Sequence, residues 1–297
     1  APAETPTYVI PDEWVEALVG FNFHRGILAC GRRQANPALE AVLPGGDRRA
    51  TAVVCPDVQD PENLGALLRI ASGFGVRIGA INPNVFQDQI YKYGSLGNPD
   101  PEIRRAALQH MLDSVEIARR TKSRDISLWF ADGSNYPGTA NIRHRKQWFI
   151  EGLQALHKAM DPNQRMLVEY KPFEPAFYHT DIADWGMSVL MSRAAGPQAK
   201  VLVDTGHHYQ AQNIEQIVAW LLSENMLGGF HFNDRRYADD DLTLGSIDPY
   251  QVFRIFHEIA LYEWETGQRA DIAYMIDQSH NLKNKIEEMI QTVVMAQ

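Results

Sequence analysis

Four segments decide the fold: Arg165-Met-Leu-Val-Glu-Tyr-Lys171, Lys200-Val-Leu-Val-Asp-Thr-Gly-His-His208, Gly229-Phe-His-Phe-Asn-Asp234 and Ala273-Tyr-Met-Ile-Asp-Gln-Ser-His280. Each is a short apolar or β-branched run that carries a carboxylate or an imidazole toward its end. Such runs, bounded by polar residues, read as buried strands. Glu169, Asp204, His231 and Asp277 follow one another at intervals of 35, 27 and 46 residues, each one strand-plus-helix unit or slightly longer. Successive parallel strands therefore deliver a charged or titratable group at the same, C-terminal, end.

The same rhythm extends outward. Strands are expected at 51–55, 77–82, 125–131, 165–171, 200–204, 229–233 and 271–277. Helical patterns fall between them, at 62–74, 101–121, 144–160, 182–195, 213–225 and 248–267, with a last one at 286–296. Alternating strands and helices imply a parallel sheet. These are seven βα units, and the apolar run Gly26–Gly31 would supply an eighth strand, the number that closes a (β/α)₈ TIM-type barrel. An open doubly wound sheet is the structural alternative, but no Gly-rich phosphate turn follows an early strand. Residues 1–50 read as an N-terminal arm, with a short helix over Asp12–Gly20 and a turn at Pro44–Arg49, and residues 51–297 as the barrel.

The chain of 297 residues carries 28 basic and 37 acidic residues, a net charge of −9, which argues against a nucleic-acid partner. No apolar run reaches the roughly 18 residues that span a bilayer, so no membrane association is expected. No signal-peptide pattern opens the chain, and the missing initial Met marks a processed or trimmed start. Two cysteines, Cys30 and Cys55, exclude a disulfide scaffold and fit a reducing, cytoplasmic location.

Glu169 and Lys171 are two apart on one strand and share a face. His207 follows Asp204, and Asp239 and Asp241 lie two apart in Tyr237-Ala-Asp-Asp-Asp241. Taken singly, each has a plain reading: a polar strand end, an ion-pair partner, a helix cap. Together they sit at the ends of buried strands, where charge is costly unless paired or metal-bound. Carboxylates with imidazole suit Mn²⁺, Mg²⁺, Co²⁺ or Zn²⁺. Glu169, Asp204, His231 and Asp277 could surround one ion, and His207, Asp239 and Asp241 a second. Two ions beside Lys171 suit sugar isomerisation or phosphate-ester hydrolysis.

Several motifs resemble the L-rhamnose isomerase family: Glu169-Tyr-Lys-Pro-Phe-Glu-Pro-Ala-Phe-Tyr178, Asp204-Thr-Gly-His-His208, Gly228-Gly-Phe-His-Phe-Asn-Asp234, Tyr237-Ala-Asp-Asp-Asp-Leu242 and Met275-Ile-Asp-Gln-Ser-His-Asn281. Ile81-Asn-Pro-Asn84, Tyr91-Lys-Tyr-Gly-Ser-Leu96 and Leu128-Trp-Phe-Ala-Asp-Gly-Ser-Asn-Tyr-Pro137 extend the resemblance from about Arg77 to Gln297. It implies a barrel of the xylose-isomerase-like group and aldose–ketose isomerisation of L-rhamnose or a related aldose with two divalent ions, Mn²⁺ first among them. It casts Glu169, Asp204, His231 and Asp277 as ligands of a structural ion, and His207, Asp239 and Asp241 as ligands of a catalytic ion. It places Lys171, Asp277 and His207 in catalysis, with Lys171 on the substrate oxygens and Trp129 packed on the sugar. Assembly into a homo-oligomer is left open.

The front of the chain differs. Gly20–Arg33 and Val54-Cys-Pro-Asp-Val-Gln-Asp-Pro-Glu-Asn-Leu-Gly-Ala-Leu-Leu-Arg69 resemble the SPOUT-class RNA ribose methyltransferases over about Tyr8–Val76, with Asn63 and Arg69 as the first catalytic motif. That family's later motifs, which build the S-adenosylmethionine pocket, have no counterpart after residue 76, so Asn63 and Arg69 read as ordinary helix residues. Residues 1–77 hold seven arginines and nine acids, which is no RNA-binding stripe. The chain thus reads as a chimera, a natural fusion or a recombinant, in which a SPOUT-like segment with the βα unit 51–76 replaces the first one or two units of an isomerase barrel. The isomerase family places a histidine at an early strand end, yet no histidine lies between His24 and His110. Cys55 reads as a buried small residue and Asp57 as a hydrogen-bond acceptor at the mouth. The expectation is a retained metal site with weakened or absent turnover, a non-catalytic barrel being the limiting case.

Overall fold

Six helices each begin on an aspartate or an asparagine whose side chain accepts from a backbone N–H of the first turn. The caps are Asp100, Asn141, Asp184, Asn213, Asp248 and Asn284. They open α1 (Pro101–Thr121), α2 (Ile142–Ala159), α3 (Trp185–Ala195), α4 (Ile214–Ser223), α5 (Pro249–Thr266) and α6 (Lys285–Ala296). A short polar side chain at this position satisfies donors that the helix itself leaves open. Proline at the first position of α1 and α5 adds a preset φ where no N–H is needed. Each helix buries one stripe; in α1 it runs Ala107, Met111, Val115 and Ala118, at helical spacing.

The computed structural model describes residues 78–134, 140–173, 179–278 and 283–297, all within the unit Leu43–Gln297. Between the helices run β1 (Ala80–Ile81), β2 (Asp125–Leu128), β3 (Arg165–Glu169), β4 (Ala199–Asp204), β5 (Leu227–Phe232) and β6 (Ala273–Ile276). They form one parallel sheet in sequential order, β1 to β6. Every strand and helix expected from residue 78 onward is present.

Five of the six strands are shorter at their C-terminal ends than the sequence pattern implied, while β4 ends at Asp204 as expected. Lys171, expected on β3, lies beyond it because its N–H donates to the carbonyl of Ile182 in its own loop. Residues 129–131, 233 and 277 likewise lie past their strands, in the segments that build the site. The readings that fall before residue 78 lie outside the described residues. These are the strands at 26–31 and 51–55, the helices at 12–20 and 62–74, the turn at 44–49, and Cys30, Cys55, Asp57, Asn63 and Arg69. So does the boundary at residue 50.

Side chains alternate between two environments. Met166, Val168, Val201, Val203, Phe230 and Phe232 join the apolar cluster shared with the helices. Leu167, Leu202, Met275 and Ala80 form a second cluster on the other face, drawn from β1, β3, β4 and β6. Contact among such widely separated strands requires the sheet to curl, as one wall of a parallel barrel. The curl is also tied below that layer: Arg165 on β3 donates to Asp125 Oδ1 at 2.7 Å and to the Asp271 carbonyl ahead of β6, and Arg124 pairs with the Asp271 carboxylate. The inner face is therefore layered, with ion pairs at the strand starts, aliphatic packing in the middle, and Glu169, Asp204, His231 and Asp277 at the far end. Gly228 accommodates a register shift between β4 and β5; a Cβ there would stand 2.5 Å from Leu167 Cδ2 and from Lys200 Cβ. Among the described residues no helix is long and apolar enough to cross a membrane.

The two arginines differ in burial, and their removal should differ accordingly. Arg165→Met leaves buried Asp125 without its ion partner, and urea unfolding should show a loss of about 3 kcal/mol or more. Arg124→Met breaks an exposed pair and should cost under about 1 kcal/mol.

Candidate metal centre

The ends of β3, β4 and β5, with Asp277 just past β6, bring their side chains into one largely buried volume. His231 Nδ1 lies 3.3 Å from Glu169 Oε2, 3.8 Å from Asp204 Oδ2 and 3.7 Å from Asp277 Oδ2. His207, just past β4, sets Nδ1 3.2 Å from Glu169 Oε1. Two groups of potential ligand atoms result, Glu169–Asp204–His207 and Asp204–His231–Asp277, each confined within 4.8 Å. Ligands at the usual 2.0–2.6 Å from a divalent ion lie within about 4–5 Å of one another, so the spread fits. Asp204 Oδ2 and His231 Nδ1 are buried, and neither has a hydrogen-bond partner among the described residues. Orphaned buried groups of this kind are rare and costly. Here an anionic oxygen and an imidazole nitrogen face the same space, and a divalent cation would satisfy both.

Asp204 is aimed by its other oxygen. Oδ1 accepts from Gly206 N at 2.7 Å and from Asn233 Nδ2 at 2.9 Å. Asn233 is in turn held by Thr205, whose hydroxyl accepts from its backbone N–H. Gly206 has no room for a side chain: a Cβ would stand 2.7 Å from Asn233 Oδ1 and 2.7 Å from Asp239 Oδ1.

Charge in this volume is compensated within it. Burial disfavours the charge on Glu169, but His231 and His207 outweigh it and hold the carboxyl down to about 2. Burial opposes the charge on His231, yet Glu169, Asp277 and Asp204 push its imidazole up to about 9. His207 is raised well above its ordinary value against the same burial, by Asp204, Asp239 and Glu169. Burial lifts Asp204 to about 7 despite His207, and burial raises Asp277 as well. Near neutral pH the two imidazolium protons offset part of the carboxylate charge.

On the outer side of this cluster, His207 Nδ1 donates to the Tyr170 carbonyl at 2.9 Å, which turns Nε2 toward Asp239 Oδ2 at 3.1 Å. Lys171 Nζ donates to the same Asp239 oxygen at 2.5 Å and stands 5.9 Å from the centre of the Trp129 ring. Trp129 packs edge-on against Phe86. Alternation along the strand sends Tyr170 the other way, where its hydroxyl donates to His208 Nε2 at 2.6 Å. Burial and the nearby Arg235 lower His208 to about 3, so this imidazole is the neutral acceptor.

The structure thus brings Glu169, Asp204, His207, His231 and Asp277 together and places Asp239, Lys171 and Trp129 beside them. Asp241 is half-buried, with a left-handed backbone at φ 48°, and neither it nor Asp239 belongs to either group of ligand atoms. Between them, Asp240 folds back on its own loop and accepts from the N–H groups of Arg236 and Tyr237. Sequence reading missed Asn233, Gly206 and the Tyr170–His208 pair. Asn233 was detectable, being two residues beyond His231 and so on its face; the role of Gly206 needs the approach of a distant loop and leaves no local signal.

Residues 44–279 match the family described as xylose isomerase-like TIM barrel. The chain belongs to this family. The match begins ahead of Arg77, where the isomerase motifs start to be recognisable. A probable sugar isomerase of Rhizobium meliloti (strain 1021) is 42% identical over 233 residues, covering 77% of this chain and 54% of that protein. The chain therefore spans about half the length of that relative. An uncharacterized tRNA/rRNA methyltransferase of Mycobacterium bovis is 35% identical over 71 residues, covering 24% of each chain. Among solved structures, D-psicose 3-epimerase from Clostridium cellulolyticum H10, crystallised with D-tagatose, aligns with a TM-score of 0.56 at 16% identity, over 80% of this chain and 82% of that one. That likeness concerns the family's barrel fold.

Two outcomes follow for the centre. A cation entering it displaces the protons on His231 and His207, so Mn²⁺ affinity should fall by at least about tenfold per unit as pH drops from about 8 to 6. Calorimetry in buffers of different ionisation enthalpy should register the released protons, and a pH-independent affinity would contradict this assignment. Gly206→Ala should weaken Mn²⁺ binding by about tenfold or more, because the new Cβ pushes Asn233 and Asp239 from their places.

Proposed function

We propose that the chain binds divalent metal at Glu169, Asp204, His231 and Asp277 and is an aldose–ketose isomerase barrel of the L-rhamnose isomerase type, with turnover weakened by its replaced front. The convergence of these four side chains from four consecutive strands carries the reading. Membership of the family and the sugar-isomerase relative support it. The methyltransferase similarity over 71 residues supports a segment of separate origin, and the chimera joined near residue 76 is part of the proposal.

The site residues divide the work. Lys171 offers an ammonium beside Asp239, able to donate to a sugar oxygen and to stabilise negative charge developing there. Trp129 supplies an apolar face for the sugar ring, next to Lys171. His207, fixed by the Tyr170 carbonyl, and Asp239 complete the wall opposite the four-residue cluster. The side chain of Asp277 is 44% exposed, unlike the other three of its group, and its carboxyl is raised by burial. It is the carboxylate placed to exchange a proton with a bound sugar. A bound divalent ion, Mn²⁺ being the first choice, would polarise the sugar's carbonyl and hydroxyl. The early-strand histidine of the L-rhamnose isomerase pattern has no equivalent between His24 and His110, which removes a contact to the sugar ring.

Titration calorimetry with Mn²⁺ tests the metal half of the reading: binding is expected, and none by correctly folded protein would overturn it. A coupled assay for L-rhamnulose tests the other half. Turnover should fall at least about a hundredfold below the median of about 10 s⁻¹ for enzymes. Rates in the ordinary range would show the missing histidine to be dispensable. S-adenosylmethionine should give no binding heat; saturable binding would favour the methyltransferase reading instead.

A further inference from the structure

The groups placed beside the metal cluster for the sugar stand past their strands. Trp129 follows β2, Lys171 follows β3, and Phe86, packed edge-on against Trp129, follows β1. A side chain on a loop is held only as well as the loop is. Here the three loops are joined through the short segment Thr180–Ile182 ahead of α3. On one side of it, the Lys171 N–H donates to the Ile182 carbonyl at 3.1 Å and the Thr180 hydroxyl donates to the Lys171 carbonyl. On the other side, Gly133 pairs with Thr180 as an antiparallel bridge, and the Asp181 N–H donates to the Asp132 carbonyl at 2.9 Å. The approach is close: a Cβ on Gly133 would stand 1.7 Å from the His179 carbonyl oxygen.

Two buried side chains extend this junction. The Asp132 carboxylate accepts from Ser95 N at 2.6 Å, Ser95 Oγ at 2.7 Å and Gly97 N at 2.8 Å, which ties in the loop after β1. Arg145, in the first turn of α2, donates to Asp181 Oδ2 from Nη2 at 2.6 Å and from Nε at 2.9 Å. Asp132 and Arg145 are each only 1% exposed. A buried ion pair is weak support for stability beside apolar packing, but its paired hydrogen bonds fix geometry sharply.

Resting on the sugar reading above, we infer that Asp132, Arg145 and Asp181 are positioning residues that lock the loops after β1, β2 and β3 into one unit. The unit holds Trp129 and Lys171 at the spacing a sugar meets. The metal cluster is carried differently: Glu169, Asp204 and His231 stand on strands, and Asp277 follows β6. The unit therefore governs sugar affinity and leaves metal affinity alone.

Amide hydrogen exchange on the full chain tests the unit itself. Asp132→Asn alters a side chain whose hydrogen bonds go to the loop after β1, yet it should speed exchange at Lys171 and Asp181, as well as at Ser95 and Gly97, by about tenfold or more. Amides of β4 and β5 should exchange as in the wild type. Asp181→Asn should act on the same four amides, and Gly133→Ala, which spares the ion pair, serves where either acid variant does not fold. Faster exchange confined to Ser95 and Gly97 in Asp132→Asn would overturn the inference. Calorimetric titration with Mn²⁺, then with L-rhamnose, tests the positioning role. Asp181→Asn and Gly133→Ala should weaken L-rhamnose binding by about tenfold or more, with Mn²⁺ affinity within about twofold of wild type. Unchanged sugar affinity in variants with loosened loops, or an equal loss of both affinities, would overturn the positioning role alone. No L-rhamnose binding by folded, Mn²⁺-loaded wild type would overturn the sugar reading and the positioning role with it.

Discussion

Three carboxylates, Glu169, Asp204 and Asp277, share a largely desolvated volume with two imidazoles, and the rest of the described structure serves to hold them there. Such a group is stable only when positive charge is present in close contact. Two protonated imidazoles provide it in the cation-free state, and the opposed shifts of Glu169 and His231 record the balance. Exchange of those protons for a divalent cation keeps the charge count while satisfying Asp204 Oδ2 and His231 Nδ1. Metal affinity and protonation would then form one equilibrium in this site.

The barrel wall makes that concentration of charge tolerable by separating it from the other demands on the interior. Leu167, Leu202 and Met275 form an apolar layer directly beneath the acidic end. Arg124, Arg165, Asp125 and Asp271 complete a second charged layer at the opposite end, matched within itself. The strand period of two keeps the layers distinct, since residues 165, 167 and 169 of β3 point the same way. A one-residue slip of β3 against β4 would bury Tyr170 in the site and turn Glu169 into the helix layer, so register and function are inseparable here.

The elements with local chemical signatures were legible in the sequence. Asp100-Pro101 announces α1 and Asp248-Pro249 announces α5 because capping and preset φ act over a few residues. The convergence of Glu169, Asp204, His231 and Asp277 was legible because parallel strands repeat one end at regular intervals. Strand ends were read too long, since whether residue 171 or 277 pairs as strand depends on which carbonyl its neighbours offer. Asp241 looked equivalent to Asp239 by spacing, but a left-handed turn at 241 breaks the alternation that the argument assumed. Gly206 and the Tyr170–His208 pair depend on contacts between segments more than 25 residues apart, which no window along the chain contains.

The most direct measurement is anomalous diffraction at the manganese edge from crystals grown with Mn²⁺. The account predicts a peak enclosed by Glu169, Asp204, His231 and Asp277. An ordered site with no peak there, or a peak only elsewhere on the surface, would contradict it.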